Sequence, residues 1–526
     1  MSKKLIRVVI VCVLLFTATA PWVIAAKSFK YPMNTSVTLK YWMDLHPNLA
    51  AVYKNFGDSP IAKELEKRTG VKCEYQHPVS GQEREKLNLM IAAGDLPDVI
   101  EYIWAQFPGG PNGAINNGAI LRLNNVYDKY SPNLKRYLKA HPEWDRMTKT
   151  DEGDYYVFPS IRAGQSLLVT SGPVVRKDWL DDLNLGLPET IDDWYLMLKA
   201  FKEKKGATVP LTTNLTYLRT DFGPAFDVCG DQLGFYLEKN KVKYSFDTPG
   251  YREFLRTMNQ WYSEGLLDPN FALFTTKSRD AYILSGKSGA SDCPAASGIG
   301  AWMDVMSKKD PKFNISGTRY CSPKKGQLPR FVRSSQVYGG GNKGNAAISA
   351  KAKPEAVEAA ARLLDYNFSP AGIRLMNFGI EGVSYTLVNG KPKYTEAVMN
   401  DPKLAPANSL ARYIRANSYG PFPSIPEYLE EYYLRPQLKE AQKYWMQNNY
   451  TKYQLPPVTP NDQESRELAR IINEINTYVE EMTMKFIMGT EPIAGYDAYA
   501  SQVKKLGIDK ALEIYQKAYV RYQNRK

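Results

Sequence analysis

Apolar positions near the start of the chain switch between two periods. Residues 36–43, SVTLKYWM, alternate and are rich in strand formers, then give way to the polar loop DLHPN. SPIAKELEKRTG has the ends of a helix written into it, with Ser59 as N-cap, Pro60 at the first helical position and Gly70 as the stop. VKCEYQ, 71–76, returns to a strand pattern. In REKLNLMIAAGDLPDVIEYIW, Leu87, Met90 and Ile91 fall at helical spacing, Gly94 suits a left-handed cap, and Pro97 cannot continue the helix, so 98–103 predicts a third strand. Strand, helix, strand, helix, strand predicts a largely parallel sheet covered by helices. Such sheets hold ligands beyond the carboxyl ends of their strands, where Trp42 and Asp44 follow the first strand and Trp104 the third.

Further along, SPNLKRYLKAHPEW predicts a capped helix, Gly153 a hairpin, 167–170 a strand, and Pro188-Glu189-Thr190 the entry to another helix. Residues 281–297 read as helix, glycine-rich turn and short strand, with GIGAWMDVM beyond. Two stretches suit crossings between lobes: 166–176, and the loose SSQVYGGGNKGNAAISA, whose three glycines, Gly339 to Gly341, permit unusual backbone angles. From Thr459 the pattern is helical almost to the end. The fold class expected is α/β, with two lobes, a hinge and a helix-rich C-terminal region. Residues 27–170 and 345–395 are assigned to lobe 1, and 171–344 and 396–526 to lobe 2.

Residues 1–26 read differently. Lys3, Lys4 and Arg7 precede an apolar run and then small residues, the layout of a secretory signal peptide cleaved near Ala25-Ala26. An uncleaved anchor is the alternative, and either way the body lies outside the cytoplasm, periplasmic or secreted. Cys12 lies too early to accept a lipid. The net charge is +13, and removing those three cations leaves +10, which suits an acidic ligand or an anionic envelope. The basic residues are scattered among acids, which argues against nucleic acid. Cys73, Cys229, Cys293 and Cys321 allow one disulfide and require none. His46, His77 and His141 share no ligand spacing, so no metal is expected.

Catalytic signatures are weak. SGKSG, 285–289, resembles the end of a phosphate loop, but its leading glycine would fall on Ala281. Asp151 with Glu152, and Glu430 with Glu431, are adjacent acids of the kind usually just solvated, although a glycosidase pair can be read into them. No GxSxG elbow occurs. Aromatic residues make up 12% of the chain, and flat rings pack on the C–H faces of sugars while acids, amides and guanidinium groups bond the hydroxyls.

NLMIAAGDLPDVI, VVRKDWLDDLNLGLPETIDDWYLMLKAFKE, NFGIEGVSYT and KFIMGTEP, with DAYASQVKKLGI and YQKAYVRY after it, resemble the family 1 extracellular solute-binding proteins of ABC sugar importers. The likeness is to the long-chain branch that includes alginate-oligosaccharide binders. It implies two α/β lobes closing on an oligosaccharide, delivery to permease subunits, a monomer, no cofactor and no catalysis. Where many relatives carry a calcium loop such as DPNGNGKADE, this chain reads KKGATVP, 204–210, so no ion is expected there. By position in that fold, the expected ligand contacts are Trp42, Asp44, Trp104, Arg176, Trp302, Asp304, Tyr338, Glu381 and Phe422. The aromatics would stack, Asp44, Asp304 and Glu381 would accept from hydroxyls, and Arg176 would donate. A polysaccharide-degrading enzyme and a carbohydrate-sensing receptor subunit are the alternatives.

Overall fold

The computed structural model describes residues 29–333 and 344–525, so the signal-peptide assignment and Tyr338 lie outside the described residues. The first sheet has four strands in the order Asn345–Ile348, Val99–Tyr102, Thr38–Trp42, Lys72–Gln76. The last three are mutually parallel, with Trp42 opposite both Gln76 and Ile100, and the returning Asn345–Ile348 lies antiparallel on Val99–Tyr102. Val99–Tyr102 is buried along its whole length, as a strand covered on both faces must be, while the edge strand Lys72–Gln76 stays half exposed.

The helices between these strands end where the sequence places their stops. Ser59 caps Pro60–Thr69 by accepting from the Ala62 amide, and Gly70 closes it at φ 73°. After Glu83–Ala93, Gly94 takes φ 68°, and the amides of Gly94 and Asp95 reach back to Ile91 and Met90. This double return satisfies carbonyls that the helix end leaves open.

The second sheet is antiparallel, with Ser171–Arg176 between Ala290–Pro294 and Ile315–Gly317. The strand expected at 167–170 therefore begins later, and Gln165–Leu167 is a tight 3-10 turn. Helix Pro436–Trp445 packs on one face, where a Cβ on Gly172 would meet Trp445 at 2.7 Å and one on Gly317 would meet Ala441 at 2.5 Å. Only glycine permits that approach. On the other face Val175 and Ala290 join a core with Trp194, Phe201, Trp261, Ile475 and Ile514, contributed by helices that include Asp462–Met488 and Ile508–Gln523.

Residues 396–425 pack on the first lobe: the Ile61 amide donates to Arg412 O, Pro423–Ser424 pairs with Ile161–Arg162, and Arg415 binds Glu101. The chain turns to the second lobe only through Pro426–Tyr432, the helix before Pro436–Trp445.

Contact between the lobes is also made far from these passages. Asp151, on the hairpin bend that Lys149 and Tyr155 close, accepts from Arg521 Nε at 2.8 Å and from Arg525 Nε at 2.7 Å. Arg521 also pairs with Glu464 at the start of the long helix. Both carboxylate oxygens of Asp151 are thus engaged in ion pairs.

Candidate binding site at the strand ends of the first sheet

The first strand ends at Trp42 and delivers Asp44 two residues later, while the third strand carries Glu101 and Tyr102 at its end. These ends point the same way because the strands are parallel. Around them lies a cavity of about 220 Å³, lined by Asp44, Gly81, Glu83, Arg84, Glu101, Tyr102, Ile103 and Gln106. A wider open hollow of about 800 Å³, with Lys129, Arg136 and Tyr155 on its walls, lies among the helices of 124–147. That hollow includes no strand end, so topology favours the smaller cavity.

Glu101 is held on several sides. Arg415 grips it with two parallel bonds, Nη1 to Oε1 and Nη2 to Oε2, both 3.0 Å, and the Tyr41 hydroxyl donates to Oε1 at 2.7 Å. Arg415 Nη2 also donates to Tyr419 O at 2.8 Å, and the Tyr419 hydroxyl donates to Asp44 Oδ2. Burial, the bond to Asp44 and that carboxylate's charge together push the Tyr419 phenol far up. The result is a chain of bonds that orients Asp44 at the cavity wall.

The three histidines are structural. Phe56 N donates to His77 Nε2 at 3.0 Å, so the ring proton sits on Nδ1, which donates to Met43 O at 2.9 Å; burial lowers its pKa. His46 caps the short helix Pro47–Ala50, and His141 stacks on Trp144 at 3.9 Å. All four described cysteines are free thiols.

The second lobe has buried charges of its own. Arg333 Nη2 donates to Asp292 Oδ1 at 2.5 Å, and its guanidinium lies over the Tyr217 ring at 4.4 Å. Asp221 is buried beside Asp292, and burial together with the charge of Asp292 pushes its carboxyl well up.

Of the residues expected to touch ligand, Asp44 lines the cavity. Trp42, Trp104, Trp302 and Phe422 are only 1–2% exposed and belong to cores, so their ring faces are covered by protein. Trp104 Nε1 donates to Asn345 O at 3.1 Å, and Trp302, on helix Ala301–Met306 rather than a loop, donates to Asp280 Oδ1 at 3.0 Å. Arg176 sits at the end of its strand away from Ser171, clamped to Asp178 and lying over Trp179 and Phe313. Asp304 is exposed and paired with Arg435. Glu381 is exposed and accepts from the Tyr385 hydroxyl at 3.3 Å. Glu83, Arg84, Glu101, Tyr102 and Gln106 were not anticipated. Glu101 alone gave a local signal, as a charge inside the apolar run 98–103.

After Ile191–Lys205, Gly206 caps at φ 69° and the chain enters the second lobe's interior, with Val209 N donating to Lys287 O at 3.0 Å. Among the described residues no group of three or more His, Cys, Asp or Glu side chains is arranged to hold a metal ion.

A parallel sheet with charged groups at its strand ends, joined by repeated passages to a second sheet, defines the two-lobed class of ligand-binding protein. Residues 57–372 match the bacterial extracellular solute-binding protein family, and the chain belongs to it. It is 25% identical over 94% of its length, and 92% of the relative's, to the fructooligosaccharide ABC transporter substrate-binding protein FusA of Streptococcus pneumoniae. The alginate-binding protein AlgQ2, crystallised without calcium ion, superposes with a TM-score of 0.73 at 25% identity, covering 94% of this chain and all of that one. FusA in complex with kestose gives 0.73 at 23% identity, covering 93% and 100%.

Proposed function

We propose that the chain is the substrate-binding component of an ABC importer, taking an oligosaccharide at the strand ends of the first sheet and handing it to permease subunits as a monomer. The observation that carries this reading is the cavity at Asp44, Glu83, Arg84 and Gln106, in a chain that aligns nearly end to end with a sugar-binding component. Carboxylates, a guanidinium and an amide offer the mixed acceptors and donors that hydroxyls need. Residues 1–26 serve as the export signal in this reading, and the body works outside the cytoplasm.

The passages at 165–171 and 425–435 form the hinge, with 29–170 and 344–425 as one lobe and 171–333 and 426–525 as the other. A ligand that bridges the lobes shifts the population toward the closed form only by its preference for that form. Trp42, Trp104, Trp302 and Phe422 then act as scaffold, and Asp44 is the retained contact.

A thermal-shift screen of the purified chain against a glycan panel tests this reading. A ligand at one hundred times its dissociation constant adds about 2.7 kcal/mol, a shift of a few degrees. A peptide that raised the melting temperature while every glycan left it unchanged would sink the oligosaccharide assignment.

A further inference from the structure

The bend at Asp151 and the C-terminal helices meet through charge. Asp151 Oδ2 accepts from Arg521 Nε at 2.8 Å and Oδ1 from Arg525 Nε at 2.7 Å, and Arg521 bonds both oxygens of Glu464. Two guanidinium groups thus face two carboxylates, and the Thr459 hydroxyl bonds both Asp151 and Arg525. A second contact lies beside this one. Asn112 Nδ2, on helix Gly110–Asn116, donates to Glu152 Oε2 at 2.5 Å, and the same helix packs on Asp462–Met488. A Cβ on Gly109 would fall 1.6 Å from Asp462 Oδ1 and one on Gly113 3.0 Å from it, so the two glycines leave room for the Asp462 side chain. Met147 packs against both the core of Trp104 and the core of Trp194.

These contacts stand on the carboxyl edge of the first sheet. The chain leaves the strand Val99–Tyr102, passes Gln106 in the cavity wall, and enters Gly109 and helix Gly110–Asn116. None of the contacting residues belongs to the passages at 165–171 and 425–435, whose approaches run side by side where Ile161–Arg162 pairs with Pro423–Ser424. Rotation about a joint made there moves Asp151 relative to Arg521 and Arg525. The contact is suited to breaking, because it is mostly ionic and the cost of desolvating charge offsets much of the attraction.

Resting on the two-lobe reading, we propose that Asp151, Arg521, Arg525 and Glu464 form a clasp across the mouth of the cleft. It is made when the lobes close and broken when they open, and its strength sets the ratio of closed to open forms before any sugar binds. The closed fraction in turn scales the apparent affinity of a ligand that binds the closed form.

Small-angle scattering and amide hydrogen exchange of the ligand-free chain test the clasp. Asp151→Asn, which keeps the shape and removes the charge, should raise the radius of gyration above the native value. Arg521→Gln, which leaves Asp151 with Arg525, should raise it less. In both variants exchange should rise together in 104–116 and 459–466, by about five-fold or more, while Thr38–Trp42 and Ser171–Arg176 keep their native rates. If Asp151→Asn loses the protection of Thr38–Trp42, Arg521→Gln decides alone. Folded variants as compact as the native chain overturn the proposal, whatever their exchange, and leave the contact as fixed packing. Neither readout uses a sugar, so a failed clasp leaves the oligosaccharide reading intact, and a glycan screen without a hit leaves the clasp standing.

Discussion

Each lobe buries an arginine against a carboxylate, and the two arrangements differ in stoichiometry. In the first lobe Arg415 and Glu101 meet one to one, with both carboxylate oxygens bonded to the guanidinium and Tyr41 adding a donor. In the second, Arg333 serves Asp292 while Asp221 lies buried beside them and shares a side-chain hydrogen bond with Asp292. The first pair is a closed unit that fixes one strand end to a loop more than three hundred residues away. The second sets two buried acids against one arginine. Buried charge is costly unless it is paired, so the two sites should respond differently when an acid is removed.

The largest effect is expected for Glu101→Ala, which leaves Arg415 buried without its partner. Urea unfolding should show a loss of about 3–5 kcal/mol, and the double variant Glu101→Met with Arg415→Met should lose less than either single change. A double variant as damaged as the sum of the singles would show that the pair does not act as a unit. Asp292→Asn should cost less, about 1–2 kcal/mol, because Asp221 then ionises and takes over Arg333. Equal losses at the two sites would erase the contrast.

Acidity separates the lobes next. Burial and Asp292 hold the Asp221 carboxyl above its unfolded value, so the native state keeps a proton that the unfolded chain releases near pH ~3.9. The stability linked to that proton is complete below ~3.9 and is lost as pH rises through the raised value. Asp221→Asn, which keeps a neutral group in place, should give a shallower decline in urea midpoint as pH increases from about 4. An unchanged slope would place the proton elsewhere. The smallest effect is expected at the exposed pair: Asp304→Ala should shift stability by under about 0.5 kcal/mol and leave glycan affinity unchanged. A clear loss of affinity there would return Asp304 to the binding site.

Local signals were read where local physics governs. Ser59 and Thr190 start helices through their side-chain oxygens and Gly70 and Gly94 end them through left-handed backbone, all within a few residues, so the order of strands and helices in the first sheet could be read from spacing. The binding wall could not, because it is assembled across the chain: Tyr419 reaches Asp44, and Arg415 reaches Glu101, from a segment more than three hundred residues away. Tryptophan at a strand end is ambiguous in sequence, since a ring able to stack on a sugar equally fills the space between sheet and helix. Trp42 and Trp104 do the latter.

The long reach of these contacts orders the birth of the fold. The strand Asn345–Ile348 lies against Val99–Tyr102, and Asp151 waits for Arg521 and Arg525 at the other end of the chain. A ribosome releasing this chain from its N-terminus therefore exposes most of the first lobe's sequence before the strand that completes its sheet exists. Loop closure over such separations is slow, and the early part of the molecule stays incomplete until the late part arrives. Completion of the first sheet therefore waits on late synthesis.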